Sequence, residues 1–171
     1  MPKSTAMKLI AKSLLLLALA GCNDDDGITG VFTPGVSGLI VLTHVQAAGG
    51  QLYHDTITVD SATARFEVVT CTSSIAQSAC GVQQRRQGEV NLATLGQLFG
   101  IAQTPAFKQL RETYDREDDV VPPDGSWTQV TVTVAERTQT VRWVGGAELP
   151  QILVRFNCWL ESARGSLILC A

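Results

Sequence analysis

A strict alternation of valine and threonine restricts the fold of this chain more than any other feature. The segment is WTQVTVTV, residues 127–134, in which Val130, Val132 and Val134 alternate with polar residues. Successive side chains of a strand point to opposite faces, so the segment predicts a strand with one buried and one solvent-facing side. Such strands are typical of an antiparallel sheet that is covered on one face.

Further patterns predict the partners of this strand. Runs of β-branched and aromatic residues predict strands over 38–45, 52–59, 65–70, 82–87 and 140–144. Apolar residues at helical spacing predict helices over 91–99, 104–114 and 149–160. Asn91 is expected to cap the first helix, whose buried face begins at Leu92, and Tyr114 is expected on the buried stripe of the second. The sequence therefore predicts an α+β fold, a mainly antiparallel sheet of hairpins with helices packed on one face, in a single domain over residues 38–171.

The two histidines lie in the predicted first hairpin. Its apolar faces match if Val41 faces Ile57 across a three-residue turn that ends in a double glycine. This register places His44 opposite His54 and Asp55 on the other face. Two imidazoles could bind a metal, but a third ligand is missing nearby, so we expect a solvated or stacked pair and no metal site.

The second hairpin is predicted from two apolar faces that coincide. A two-residue turn near Glu136-Arg137 would pair Val130 with Trp143.

The N-terminal residues have the order of a secretory signal. Lys3, Lys8 and Lys12 precede an apolar run of seven residues, 14–20. A membrane-spanning helix needs about 20 apolar residues, so this run is too short to span a bilayer permanently.

The run ends in Leu19-Ala20-Gly21-Cys22, which resembles the lipobox of bacterial lipoproteins at all four positions. The resemblance implies that residues 1–21 are a signal peptide, that Cys22 carries diacylglycerol, and that the new amine is acylated. An ordinary secreted protein is the alternative. The lipid bilayer is then a partner through Cys22, since two or three acyl chains make a stable anchor. In lipoproteins of enteric bacteria, an aspartate directly after the lipid-bearing cysteine favours retention in the inner membrane. This chain has Asn23 at that position, so we expect the protein to be anchored at the periplasmic face of the outer membrane.

Residues 22–37 predict a flexible acidic and glycine-containing tether, because they show neither a helical nor an alternating period. Asp24, Asp25 and Asp26 could suggest calcium, but adjacent aspartates do not wrap an ion, so we favour a solvated spacer.

Charge and motifs argue against several function classes. The chain has 13 basic and 16 acidic residues; without the three lysines of the signal peptide, 10 basic residues remain and the net charge is −6. An acidic protein binds phosphates poorly, so no nucleic-acid partner is expected. Nucleophile elbows, zinc-binding helices and phosphate loops are absent from the sequence. The one carboxylate run, Glu117-Asp118-Asp119, is typical of a solvated loop, so we expect neither an enzyme nor a cofactor; a small enzyme using carboxylates or the histidine pair is the alternative.

Four cysteines remain after Cys22, an even number that suits disulfides in an exported protein. They are Cys71, Cys80, Cys158 and Cys170, and three pairings are possible. Cys71–Cys80 and Cys158–Cys170 are favoured because each pair brackets a short segment. Zinc is the alternative, but the sequence has no C-x-x-C motif.

The order of elements over about residues 38–163 resembles emfourin-type inhibitors of thermolysin-like metalloproteases. The matching features are a first strand ending in Gly49-Gly50, a helix over 92–99, a Thr/Val hairpin, and Glu148-Leu149-Pro150 before the last helix. The resemblance implies a binding module of α+β fold without a catalytic site. The extra cysteines and the lack of an aromatic residue after the double glycine depart from the family, so no inhibitory contact is assigned to a named residue. We therefore expect an envelope lipoprotein that acts as a binding or structural module, with an envelope protein or protease as partner.

Overall fold

The computed structural model describes residues 37–74, 80–115, 125–164 and 170. Within these residues the chain forms seven strands and three helices. In chain order they are β1 (Gly38–Ala48), β2 (Gln51–Asp60), β3 (Arg65–Ser74), β4 (Val82–Glu89), α1 (Leu92–Gln103), α2 (Pro105–Lys108), β5 (Thr113–Tyr114), β6 (Ser126–Val134), β7 (Arg137–Val144) and α3 (Gln151–Ala163).

The strands form one sheet in the order β4-β3-β2-β1-β6-β7-β5. All neighbours are antiparallel except β5, which is parallel to β7. The prediction of a mainly antiparallel sheet accompanied by helices is confirmed.

The first hairpin has a register that differs by one residue from the predicted one. Gly49 and Gly50 both adopt left-handed φ values, 58° and 77°, and make a two-residue turn that leaves Ala48 in the strand. Glycine adopts such angles without steric cost, and two-residue hairpin turns with positive φ match the twist of the strands. Leu42 therefore pairs with Ile57, and the expected pairing of Val41 with Ile57 is wrong.

The second hairpin differs from its predicted register by two residues. Val130 pairs with Val141, not with Trp143, because the turn consists of Ala135 and Glu136. A shift of two residues leaves every side chain on its original face, so the predicted buried face is retained.

Helix α1 begins as the sequence predicts. The side chain of Asn91 accepts a hydrogen bond of 2.7 Å from the backbone nitrogen of Thr94, which satisfies one of the free N–H groups of the first turn. Leu92 is 79% exposed, however, and the first buried apolar residue of the helix is Leu95. The expectation that Leu92 belongs to the core is wrong. Helix side chains tilt towards the N-terminus, so the side chain of Leu92, the first residue of α1, projects past the end of the helix into solvent.

The second predicted helix is much shorter than expected. Thr104 caps α2, with Pro105 in its first turn, but the helix ends at Lys108. Tyr114 lies in β5 and pairs with Trp143 of β7. The prediction of Tyr114 on a helix is therefore wrong, although its side chain is buried.

One hydrophobic cluster takes in residues from both the sheet and the helices. It includes Ile40 and Val130 from the sheet, Phe99 from α1, and Phe156 from α3. The rings of Phe107 and Phe156 lie with their centroids 4.8 Å apart, so α2 and α3 also contact each other in this core.

Candidate functional site

The cysteines form two disulfides in the structure. Cys71 is bonded to Cys80 with Cα atoms 5.6 Å apart, and Cys158 is bonded to Cys170 with Cα atoms 5.7 Å apart. Both separations suit a disulfide. These are the two pairs that bracket short segments, 9 and 12 residues apart in sequence. Cys22 lies outside the described residues.

The histidines do not form a pair. His44 lies opposite Asp55, while His54 lies opposite Val45, so the one-residue change of register places the two imidazoles on opposite faces of the sheet. The ring of His54 packs edge-on against Trp127, with centroids 6.4 Å apart. The hypothesis of a facing pair, with Asp55 on the other side, is wrong.

A row of polar side chains interrupts the buried face of the sheet. Along β1 the buried face runs through Ile40 and Leu42 and continues at His44. Its neighbours in the same row are Asp55 on β2 and Thr128 on β6. The apolar face therefore becomes polar at one level across three adjacent strands.

These polar residues line a groove of about 410 Å³ between the sheet and α3. His44, Asp55, Thr128 and Trp143 line it from the sheet, and Asn157 and Glu161 line it from α3. We call this space the polar groove.

Within the polar groove, one imidazole nitrogen is fixed by a neighbouring hydroxyl. Nδ1 of His44 and Oγ1 of Thr128 are 2.8 Å apart, and Thr128 is only 8% exposed. This hydrogen bond fixes the orientation of the His44 ring above the apolar core.

In contrast to the His44 ring, the carboxylate of Asp55 has a buried oxygen without a hydrogen-bond partner among the described residues. Its Oδ1 atom is shielded from solvent and accepts no hydrogen bond within the described part of the chain. A buried acceptor without a partner is costly, so each one calls for an explanation.

The remaining charges at the polar groove are compensated. Arg164, which follows α3, forms an ion pair with Glu161, one turn earlier. The carbonyl oxygen of Arg164 accepts a hydrogen bond of 2.6 Å from Nη2 of Arg86. Asp55 is therefore the carboxylate of the groove that has no ion pair or hydrogen bond among the described residues.

Metal binding finds no support in the described ranges. No group of three or more histidine, cysteine, aspartate or glutamate side chains there could hold a metal ion. The acidic runs at Asp24–Asp26 and Glu117–Asp119 lie outside the described residues.

Sequence reasoning missed the polar groove because it placed His44 and Asp55 on opposite faces. The signal that could have revealed it is the double glycine. A two-residue turn at Gly49-Gly50 places His44 beside Asp55.

A larger cavity of about 860 Å³ lies near the turn between β6 and β7. Phe107 and Val134 are among its apolar lining residues, and Lys108 and Glu136 are among the charged ones. The backbone of Ser37 reaches the same turn, where its carbonyl oxygen accepts a hydrogen bond of 3.2 Å from the nitrogen of Ala135.

No family model, no curated protein and no solved structure matches the chain. Among the helices of the described residues, none has the length and apolar character that a membrane span requires.

Proposed function

We propose that this protein is a bacterial envelope lipoprotein, anchored through acylated Cys22, that acts as a non-catalytic binding module. The observation that carries the proposal is the state of the five cysteines. The four that lie among the described residues are joined in two disulfides, and the fifth, Cys22, stands at the cysteine position of the lipobox.

The disulfides also support the proposed compartment. Such bonds persist in oxidising environments and are rare in the cytosol, so they suit a protein exported to the cell envelope. Asn23 after the lipid-bearing residue favours the periplasmic face of the outer membrane.

The proposed organisation has three parts. Residues 1–21 are the signal peptide, residues 22–37 are the lipidated cysteine and tether, and residues 38–171 are a single α+β domain whose helices cover one face of the sheet. The shared hydrophobic cluster of sheet and helices supports the single domain.

The polar groove supports binding more than catalysis. Asp55, His44 and Thr128 lie in order across β2, β1 and β6, and a carboxylate, an imidazole and a hydroxyl could serve a small envelope enzyme. A nucleophile needs access to its substrate, but Thr128 is 8% exposed. Its limited access therefore favours a positioning role for the hydroxyl.

A fluorophosphonate probe separates binding from catalysis by the Thr128 hydroxyl, because it labels activated hydroxyl groups. We expect no labelling of the wild-type protein. Labelling that is lost in Thr128→Val would establish the enzyme.

A narrower form of the proposal is inhibition of a thermolysin-like metalloprotease. It rests on the resemblance to emfourin-type inhibitors, and a tether would raise the effective concentration of the module at the membrane. The test is titration of the purified protein in detergent against a thermolysin-like protease. Inhibition below micromolar concentration is expected for this form, and full protease activity at higher concentration would leave only the general binding role.

The anchor is tested by replacing the acceptor thiol. Cys22→Ser should abolish incorporation of labelled fatty acid and cause the uncut precursor to accumulate, whereas Asn23→Ser, the matched control, should be labelled normally. Persistent labelling of the Cys22→Ser variant would overturn the lipoprotein proposal.

A further inference from the structure

The polar groove carries an inference about the chemistry of its ligand. Its charged and titratable lining groups are His44, Asp55, Glu161 and Arg164. Glu161 and Arg164 neutralise each other as an ion pair, and His44 is hydrogen-bonded to Thr128. Asp55 is therefore the charged lining residue that makes neither an ion pair nor a hydrogen bond among the described residues.

A carboxylate in this state favours a cationic hydrogen-bond donor. Hydrogen bonds between an ionised acceptor and a charged donor are shorter and about twice as strong as neutral ones. An anion would be repelled by Asp55, and no described group of side chains could hold a metal ion. The lining therefore selects an organic cation.

The uncharged polar residues of the groove favour an ammonium over a guanidinium. The side chains of Gln46 and Asn157 also line the groove and carry amide oxygens, one from the sheet and one from the helix. An ammonium has three donors that diverge from a single nitrogen, whereas the donors of a guanidinium lie in one plane. Acceptors on two layers of the fold suit the diverging donors.

The other end of the groove suits the carbon chain of the ligand. In the row that begins at Asp55, His44 and Thr128 are followed by Trp143 on β7, which is 9% exposed. Three strand spacings of about 4.8 Å separate Asp55 from Trp143, or about 14 Å. The groove therefore has a carboxylate at one end and an indole at the other.

We propose that the polar groove binds the primary ammonium group of an alkylamine or of a lysine side chain. The ammonium donates to Oδ2 of Asp55, since Oδ1 is shielded from solvent, and the alkyl chain runs over His44 and Thr128 towards Trp143. This inference rests on the proposed binding function, because it names the ligand class of the same site.

The test uses the purified full-length protein in detergent and NMR of its indole N–H groups. Trp143 reports on the groove, and Trp127, on the opposite face of the sheet, serves as an internal reference. The probes are n-hexylammonium, whose longer chain extends from Asp55 towards Trp143, and Nα-acetyl-lysine methylamide. Each is compared with a neutral counterpart, n-hexanol and the Nε-acetylated lysine derivative. We expect both cations to shift the Trp143 signal saturably, without a matching shift of Trp127.

Two variants connect the shift to the carboxylate. Asp55→Asn keeps the shape of the side chain and should weaken binding of both cations by about tenfold or more, as expected for a lost charged hydrogen bond. Asp115→Asn removes the same charge from an exposed position and should bind like the wild type. Normal indole spectra of both variants establish that they are folded.

Several results would overturn the inference. They are the absence of a shift with either cation, equal binding of the neutral counterparts, unchanged affinity in Asp55→Asn, or equal affinity for n-hexylguanidinium. Tighter binding of the lysine derivative than of n-hexylammonium would identify a lysine side chain as the source, and the reverse order would identify a free amine. Acyl labelling of Cys22 is measured separately, so a failed titration leaves the anchor standing, and failed labelling leaves the titration valid.

Discussion

Adding one methyl group at Gly38 should destabilise the protein, because there is no space for it. A Cβ atom built on Gly38 would lie 2.7 Å from Cδ1 of Phe99 and in still closer contact with Cε1 of the same ring. Phe99 is fully buried, so its ring has no solvent-filled space into which to move. The backbone of Gly38 is also held in place, because its nitrogen donates to Oγ of Ser61 at 2.7 Å and its carbonyl accepts from the nitrogen of Ser61 at 3.0 Å.

The size of the effect follows from the cost of overpacking. Inserting a methyl group into a well-packed core typically costs about 1–3 kcal/mol. We expect Gly38→Ala to lower the free energy of unfolding by about 2 kcal/mol, which corresponds to about 4–8 °C in Tm for a chain of this length.

Gly96→Ala is the matched control, since it adds the same methyl group where space is free. Gly96 lies inside α1, and no atom outside its immediate backbone surroundings comes within 4 Å of the position of its Cβ. Alanine in a helix interior is favoured over glycine by about 0.5–1 kcal/mol. The same substitution should therefore stabilise the protein here.

Urea unfolding, followed by circular dichroism, measures both effects in the purified protein in detergent. A double-mutant cycle with Phe99→Leu then tests the cause, because leucine lacks the ring atoms nearest to residue 38. The double variant should be more stable than the sum of the two single changes predicts, by about 1 kcal/mol. Gly38→Ala within 0.5 kcal/mol of the wild type, or strict additivity in the cycle, would refute the reasoning.

Three further changes have effects that the structure predicts. Asn91→Ala removes the cap of α1 and should cost about 1 kcal/mol in urea unfolding, with an unchanged midpoint arguing against the cap. Replacing Cys158 and Cys170 together by serine removes a disulfide over 12 residues and should cost about 3 kcal/mol on the chain-entropy estimate. Equal unfolding midpoints of the wild type and this double variant, both measured without reductant, would contradict this. Gly50→Ala forces alanine to a φ of 77° and should cost about 1 kcal/mol in thermal unfolding, and a Tm at or above the wild-type value would show that the turn adapts.

The sequence predicted the strands well because alternation of apolar and polar residues is a local property. Register was harder to predict, and β1 shows why. Its residues Leu39, Ile40, Val41 and Leu42 are all apolar, so either face could be the buried one. Only the turn decides between them, and the positive φ values of the double glycine shorten it by one residue.

Prediction of the polar groove from the sequence depends on the same choice of register. A shift of one residue moves every side chain to the other face, so the predicted register separated His44 from Asp55. The slip of two residues in the second hairpin had no such effect on Val130, which is buried as predicted. The bridges were easier to foresee, because a short sequence separation between cysteines constrains their distance in any fold.

Tyr114 shows a limit of another kind. Its spacing from Phe107 and Leu110 suits a helix, but α2 ends at Lys108 and the chain continues into a short parallel strand. That strand is stabilised by pairing with β7, which lies far away in the sequence. Local patterns do not contain such long-range pairing, so tertiary contacts override the helical spacing here.

The position of Ser37 gives the sheet a near end and a far end with respect to the anchor. Its carbonyl oxygen is bonded to Ala135 in the turn between β6 and β7, so residues 22–37 join the domain at that end. His44 lies seven residues further along, which at about 3.3 Å per residue is about 23 Å away. With Cys22 acylated as proposed, the polar groove lies towards the end of the sheet that is farther from this attachment. The domain would then hold an amine at a distance from the bilayer to which both the tether and β1 contribute. A longer or shorter tether would change that distance without changing the affinity for the amine.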